Sequence, residues 1–174
     1  MSLAGRLVTV LVLCAFYPVP AAAEEIWVGI YTQKAGSYSL KQAGTDLKLG
    51  WRSDPVQRLR PVGKPSIHVL LSANLDGGVN YAATGLSWRL GSNIYLRPGI
   101  GIALQDGACR KAGKRRRNDL GSRVLLEPEL AAGWQITDRL SVEVSWIHLS
   151  HAGLFSDHNP GTNSFGIRTV FRLP

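Results

Sequence analysis

The chain has 174 residues, a formal net charge of +8 and two cysteines. That is enough for one domain of ordinary size, and it excludes a scaffold held together by disulfides. No stretch is apolar for long enough to cross a membrane as a helix.

Residues 1–23 carry Arg6, then an apolar run from Leu7 to Ala15, then Ala21-Ala22-Ala23, the small-residue pattern of an export cleavage site. They predict a signal peptide that is removed, with a single mature domain at 24–174. Leu13 is a poor match for the small residue that precedes a lipid-modified cysteine, so Cys14 is expected to leave with the signal. Cys109 then remains as a single thiol that has no internal partner. Only Arg6 is lost among the charges, so the mature chain stays strongly basic.

From Glu25 onward a period of two recurs. Ile26, Val28 and Ile30 form one face of a first segment, and Leu47, Leu49 and Trp51 one face of a second. Ile67 to Ala73 and Ala82 to Leu90 repeat the alternation. Ile94 to Leu104, Val124 to Ile136, Leu140 to Ser150 and Asn163 to Leu173 complete a set of eight segments. The opposite face collects Asp46, Lys48, Arg52, Arg89, Arg97, Glu127, Glu129, Glu143, Arg168 and Arg172, interspersed with glycines. Short alternating segments of this kind predict an all-β fold, an eight-stranded antiparallel transmembrane β-barrel whose narrow interior is filled by paired charges instead of a transport pore.

A soluble sandwich or lipocalin-like barrel alternates too, with its apolar face turned inward. Three features favour the membrane barrel. Trp51, Trp88, Trp134 and Trp146 lie near segment ends on the apolar face, as an aromatic girdle requires; the leader demands export; and the mature chain has no disulfide framework. The expected location is therefore the outer membrane of a Gram-negative bacterium.

With the amino terminus on the periplasmic side, the connections Lys34 to Ala43, Leu75 to Val79, Asp106 to Gly121 and His151 to Thr162 face outward. Gly91-Ser92-Asn93 and Thr137-Asp138 make short periplasmic turns, whereas Ser53 to Pro65 is long for one. The third outer loop concentrates Arg110, Lys111, Lys114, Arg115, Arg116 and Arg117. Arginine holds phosphate through two hydrogen bonds at once, so Arg115, Arg116 and Arg117 are candidate ligands for lipopolysaccharide phosphates; the alternative is a solvated loop. Nucleic acid is not an expected partner of an exported chain.

The most unusual positions lie at the end of the seventh segment. His148 and Ser150 share the outward face with Leu140, Val142, Val144 and Trp146. A base and a potential nucleophile are thus expected on a lipid-facing wall, where only a lipid can be the substrate. Same-face residues two apart are roughly 6 to 7 Å between α-carbons, close enough for the side chains to meet.

His148-x-Ser150-x-Ala152-Gly153-Leu154, then Asn159-Pro160-Gly161-x-Asn163 and a closing alternating strand, resembles the PagL family of outer-membrane lipid A 3-O-deacylases, or acyloxyacyl hydrolases. The resemblance in motif covers about the last 27 residues. It implies a Ser-His-acid triad on the outer wall that hydrolyses the ester-linked 3-hydroxyacyl chain at position 3 of lipid A, with no metal or organic cofactor. Carried over, Ser150 is the nucleophile and His148 the base.

The sequence departs from the family pattern at two positions. Where the family usually has Asn after the serine, to help stabilise the oxyanion, His151 stands; His151 and Gly153 are the candidate supporting groups. Where the family usually has an acid after the Asn-Pro-Gly turn, Asn163 aligns once one extra loop residue is allowed, and Asp157 in the loop is the alternative acid. The expected partners are lipid A or lipopolysaccharide and the outer membrane, and the sequence is compatible with a homodimer. A non-catalytic barrel serving adhesion or envelope integrity is the alternative function.

Overall fold

A computed structural model of the chain describes residues 23–35, 43–107, 120–154 and 159–174. The expected leader as far as residue 22, Cys109, the basic cluster Arg110 to Arg117 and Asp157 lie outside the described residues.

The strands are β1 (Ala23–Ala35), β2 (Ala43–Pro55), β3 (Ser66–Asn74), β4 (Tyr81–Ser87), β5 (Leu90–Gly91), β6 (Ile94–Gln105), β7 (Val124–Gln135), β8 (Leu140–Leu149) and β9 (Thr162–Arg172). Each pairs antiparallel with its neighbours in the order β4-β3-β2-β1-β9-β8-β7-β6-β5, and β4 also pairs with β6, which closes the sheet. β4 and β5 are two pieces of one stave. Ser87 pairs with Gly99 and Leu90 with Leu96, so the register runs through unbroken. Trp88 N–H still bonds Pro98 O at 2.9 Å, but Pro98 has no N–H to return, and the ladder lapses there. The result is the eight-stranded barrel that the alternation predicts.

Which face points outward decides between membrane and soluble barrels. Ile30, Leu49, Leu96, Ile102, Val144 and Ile167 are each at least half exposed, while Lys48, Arg52, Arg97, Glu127, Glu129, Glu143 and Arg168 are buried. A largely apolar outer wall around a charged interior is the inverse of a soluble barrel and is the arrangement of a membrane-spanning one. Closure leaves no unpaired strand edge in that wall. Among the described residues no helix is long and apolar enough to cross a membrane, and the strands are the crossing elements.

The interior charges neutralise one another, as burial demands. Arg97 meets Glu25 at 2.9 Å and Glu143 at 3.1 Å, Arg52 meets Glu25 at 3.2 Å, and Arg168 pairs with both Glu129 and Glu143. Nearer the other end Lys48 Nζ donates to Asp46, Ser72 and Tyr81 at 2.8 to 2.9 Å. The Trp27 ring also lies inside, in space left by Gly50, where an added Cβ would come within 2.2 Å of it. Arg172, expected inside, is exposed instead, at the last pair of the β1–β9 ladder, opposite Glu25. The long connection after β2 is ordered: Gln57–Val62 form a 3-10 turn, Val56 N–H bonds Pro65 O at 2.9 Å, and the Trp88 indole donates to Val62 O at 2.7 Å.

Candidate active site

The site forms where β8 reaches the end of the barrel opposite the termini. Ser141, Glu143, Ser145, Ile147 and Leu149 turn inward and are buried, so Val142, Val144, Trp146 and His148 must turn outward. Ser150 continues that outer row. Its main chain is anchored by a bridge to Leu126, with N–H to O distances of 2.7 and 3.2 Å. The β7–β8 ladder otherwise stops at Glu129 and Ile147. In the same register Pro128 falls opposite His148, and having no N–H it cannot continue the ladder.

β9 supplies the partner. His148 and Asn163 are directly opposed across the β8–β9 pair, and His148 Nδ1 lies 2.9 Å from Asn163 Oδ1. The Trp146 indole Nε1–H donates to the same oxygen at 3.0 Å. A carbonyl oxygen has two lone pairs and can take both donors. Because His148 Nδ1 then bears the proton, its Nε2 carries a lone pair and is the basic nitrogen.

Two turns frame this arrangement. After Ser150, His151 O accepts the Leu154 N–H at 2.8 Å, and the two residues between, Ala152 and Gly153, have φ of 50° and 76°. Both central positions of the turn are left-handed, which is costly for alanine and free for glycine. Before Asn163, Gly161 has φ of 61° and lies against the imidazole; a Cβ there would meet His148 Cε1 at 3.1 Å and Nε2 at 3.4 Å. Glycine therefore serves both the turn and the approach to the ring.

The structure brings His148 and Asn163 into contact and places Ser150 next along the same outer row. Among the described residues no hydrogen bond links the Ser150 hydroxyl to His148. His151 is fully buried, with its backbone N–H donating to Asn159 Oδ1 at 3.2 Å, while Gly153 is exposed at the rim. Sequence reasoning placed Trp146 only in the girdle and gave Gly161 only a turn. Trp-x-His-x-Ser at spacing two was the available signal for the first; the second is a contact across strands that no local pattern reveals.

The sequence profile of the family described as "Lipid A 3-O-deacylase (PagL)" matches residues 28–172. Among solved structures, the crystal structure of the outer-membrane enzyme PagL is similar with a TM-score of 0.64 at 20% identity, covering 86% of this chain and 99% of that one. Neisserial surface protein A is similar with a TM-score of 0.60 at 9% identity, covering 86% and 96%. At these identities the likeness shows the shared barrel alone. Comparison with curated protein sequences gives no match. The family profile runs from the first strand to the last and includes His148, Ser150 and Asn163, and the chain belongs to the PagL family of lipid A 3-O-deacylases.

Proposed function

We propose that the protein is an outer-membrane esterase that removes the 3-hydroxyacyl chain ester-linked at position 3 of lipid A, using Ser150 as nucleophile and His148 as general base. The observation that carries this reading is the polar row itself. A histidine with a fixed partner and a serine on the same lipid-facing wall have no structural reason to be there, since the wall elsewhere is largely apolar, broken by threonines such as Thr32, Thr45 and Thr84, and the interior holds the charge network.

His148 Nε2 takes the proton from the Ser150 hydroxyl as its oxygen attacks the ester carbonyl carbon. The tetrahedral intermediate collapses, the bond to the sugar oxygen breaks, and that oxygen takes the proton back from Nε2–H. Water, activated by the same imidazole, then releases the fatty acid and restores the serine. In ligand-free enzymes such hydrogen bonds are often open and close on the substrate. The Gly153 N–H is the supporting donor for the oxyanion, because the His151 N–H is engaged by Asn159. Asn163 orients the ring, and Arg115, Arg116 and Arg117 take the lipid A phosphates.

Mass spectrometry of lipid A from cells expressing the protein or its Ser150→Ala variant tests this. The native chain removes one 3-hydroxyacyl group and the variant does not; intact lipid A in both cases returns the protein to the non-catalytic alternative.

A further inference from the structure

An amide in the orienting position of a triad carries two defects compared with a carboxylate. It cannot stabilise the imidazolium, and it can turn its NH2 toward the imidazole. In that orientation Nδ1 becomes an acceptor, the proton moves to Nε2, and no lone pair remains to receive the serine proton. In the serine-protease triad the Asp→Asn change costs about 10⁴ in turnover through this wrong tautomer. Asn163 is exposed to the same hazard.

The indole of Trp146 removes it. An indole N–H only donates, so the Asn163 atom 3.0 Å away has to be the carbonyl oxygen. The flipped amide would set N–H against N–H at that distance. The same oxygen lies 2.9 Å from His148 Nδ1, which is thereby made the donor. We infer that Trp146 is a positioning residue: by holding the Asn163 amide with its oxygen toward His148, it fixes the imidazole in the tautomer whose Nε2 is free to act as base.

Its place in the barrel supports this over a role in the girdle alone. Trp51 pairs with Ile26 and Trp134 with Ile94, and Trp88 joins the 3-10 turn after β2; all three stand toward the end that carries the termini. Trp146 stands toward the opposite end, and its ring centroid is 6.0 Å from that of His148. It is one strand repeat before the histidine on the same face, and across the ladder from Phe165, two residues beyond Asn163. From that position the indole reaches diagonally to the amide, a reach that large aromatic side chains have in an antiparallel pair.

The inference rests on the Ser-His reading for its catalytic consequence, but the tautomer is measurable without turnover. The full barrel in detergent micelles or nanodiscs is labelled with ¹⁵N-histidine, the His148 ring being assigned against His148→Gln. The native protein shows His148 protonated at Nδ1 and unprotonated at Nε2. Trp146→Phe, which keeps a smaller aromatic ring and removes the donor, shows a substantial Nε2–H population and lowers kcat by about tenfold with little change in KM, a loss of the size expected for one oriented hydrogen bond. In an Asn163→Asp background, where both acceptor atoms are oxygens, Trp146→Phe costs less than about twofold. A His148 ring that stays wholly in the Nδ1–H form in Trp146→Phe overturns the inference, and so does an equal loss of kcat in the native and Asn163→Asp backgrounds. If the tautomer shifts but no ester is cleaved by the native chain, the positioning role stands and the proposed function falls.

Discussion

His148 and Asn163 face each other across the β8–β9 ladder, on the lipid-facing wall of a barrel whose ion pairs lie inside, and their Nδ1 and Oδ1 atoms are 2.9 Å apart. An amide there orients the ring but contributes no charge. Asn163→Asp is therefore expected to raise kcat, because a carboxylate stabilises the imidazolium that forms during attack. The rise is well short of about 10⁴, since the tautomer is already correct. Asn163→Leu lowers activity. Release of 3-hydroxy fatty acid from purified lipid A measures both, and Asp157→Asn as the damaging change would move the acid into the loop.

Ser150→Ala and His148→Ala each abolish deacylation and leave the barrel assembled. Neither side chain belongs to the interior charge network, so unheated samples of both variants keep the mobility of the native barrel on a denaturing gel. Normal activity in either one sinks the nucleophile and base assignment.

Gly161→Ala tests the packing of the loop against the ring. The backbone is left-handed there and the new methyl would lie 3.1 Å from His148 Cε1. A ring displaced by a fraction of an ångström loses about tenfold in kcat, whereas Gly77→Ala, also left-handed but in the turn after β3 and with nothing within 4 Å of its Cβ, strains only its own turn and costs less. Side-by-side kinetics of the two variants reads the difference.

Glu143→Leu removes one carboxylate from between Arg97 and Arg168. Breaking a buried pair from one side costs about 3 to 5 kcal/mol, so the urea midpoint for loss of the fast-migrating form falls. An unchanged midpoint contradicts a load of that size on this cluster.

Neutralising Arg115, Arg116 and Arg117 together is expected to weaken action on phosphorylated lipid A more than on a simple ester, with the difference shrinking in added salt. Equal effects on both substrates reduce the cluster to a solvated loop.

The sequence by itself determined the barrel. Ile26, Val28 and Ile30 against Glu25, Trp27 and Tyr31 are alternations that only a pleated strand can express, and a side-chain period of two fixes which residues share a wall without reference to any neighbour. The same period placed Trp146, His148 and Ser150 on one face. Period alone could not choose between an outward face and the inward one of a soluble barrel, nor say that Pro98 would split the fourth stave or that Arg172, at the end of the β1–β9 ladder, would be exposed. Those depend on register and on where the cylinder ends. Above all, the meeting of Trp146 and His148 on a single oxygen of Asn163 was decided by the tertiary structure. β8 and β9 are joined by a connection of a dozen residues, and only their ladder sets which side chains oppose each other; a shift of one pair would turn Asn163 inward and leave the histidine without its partner.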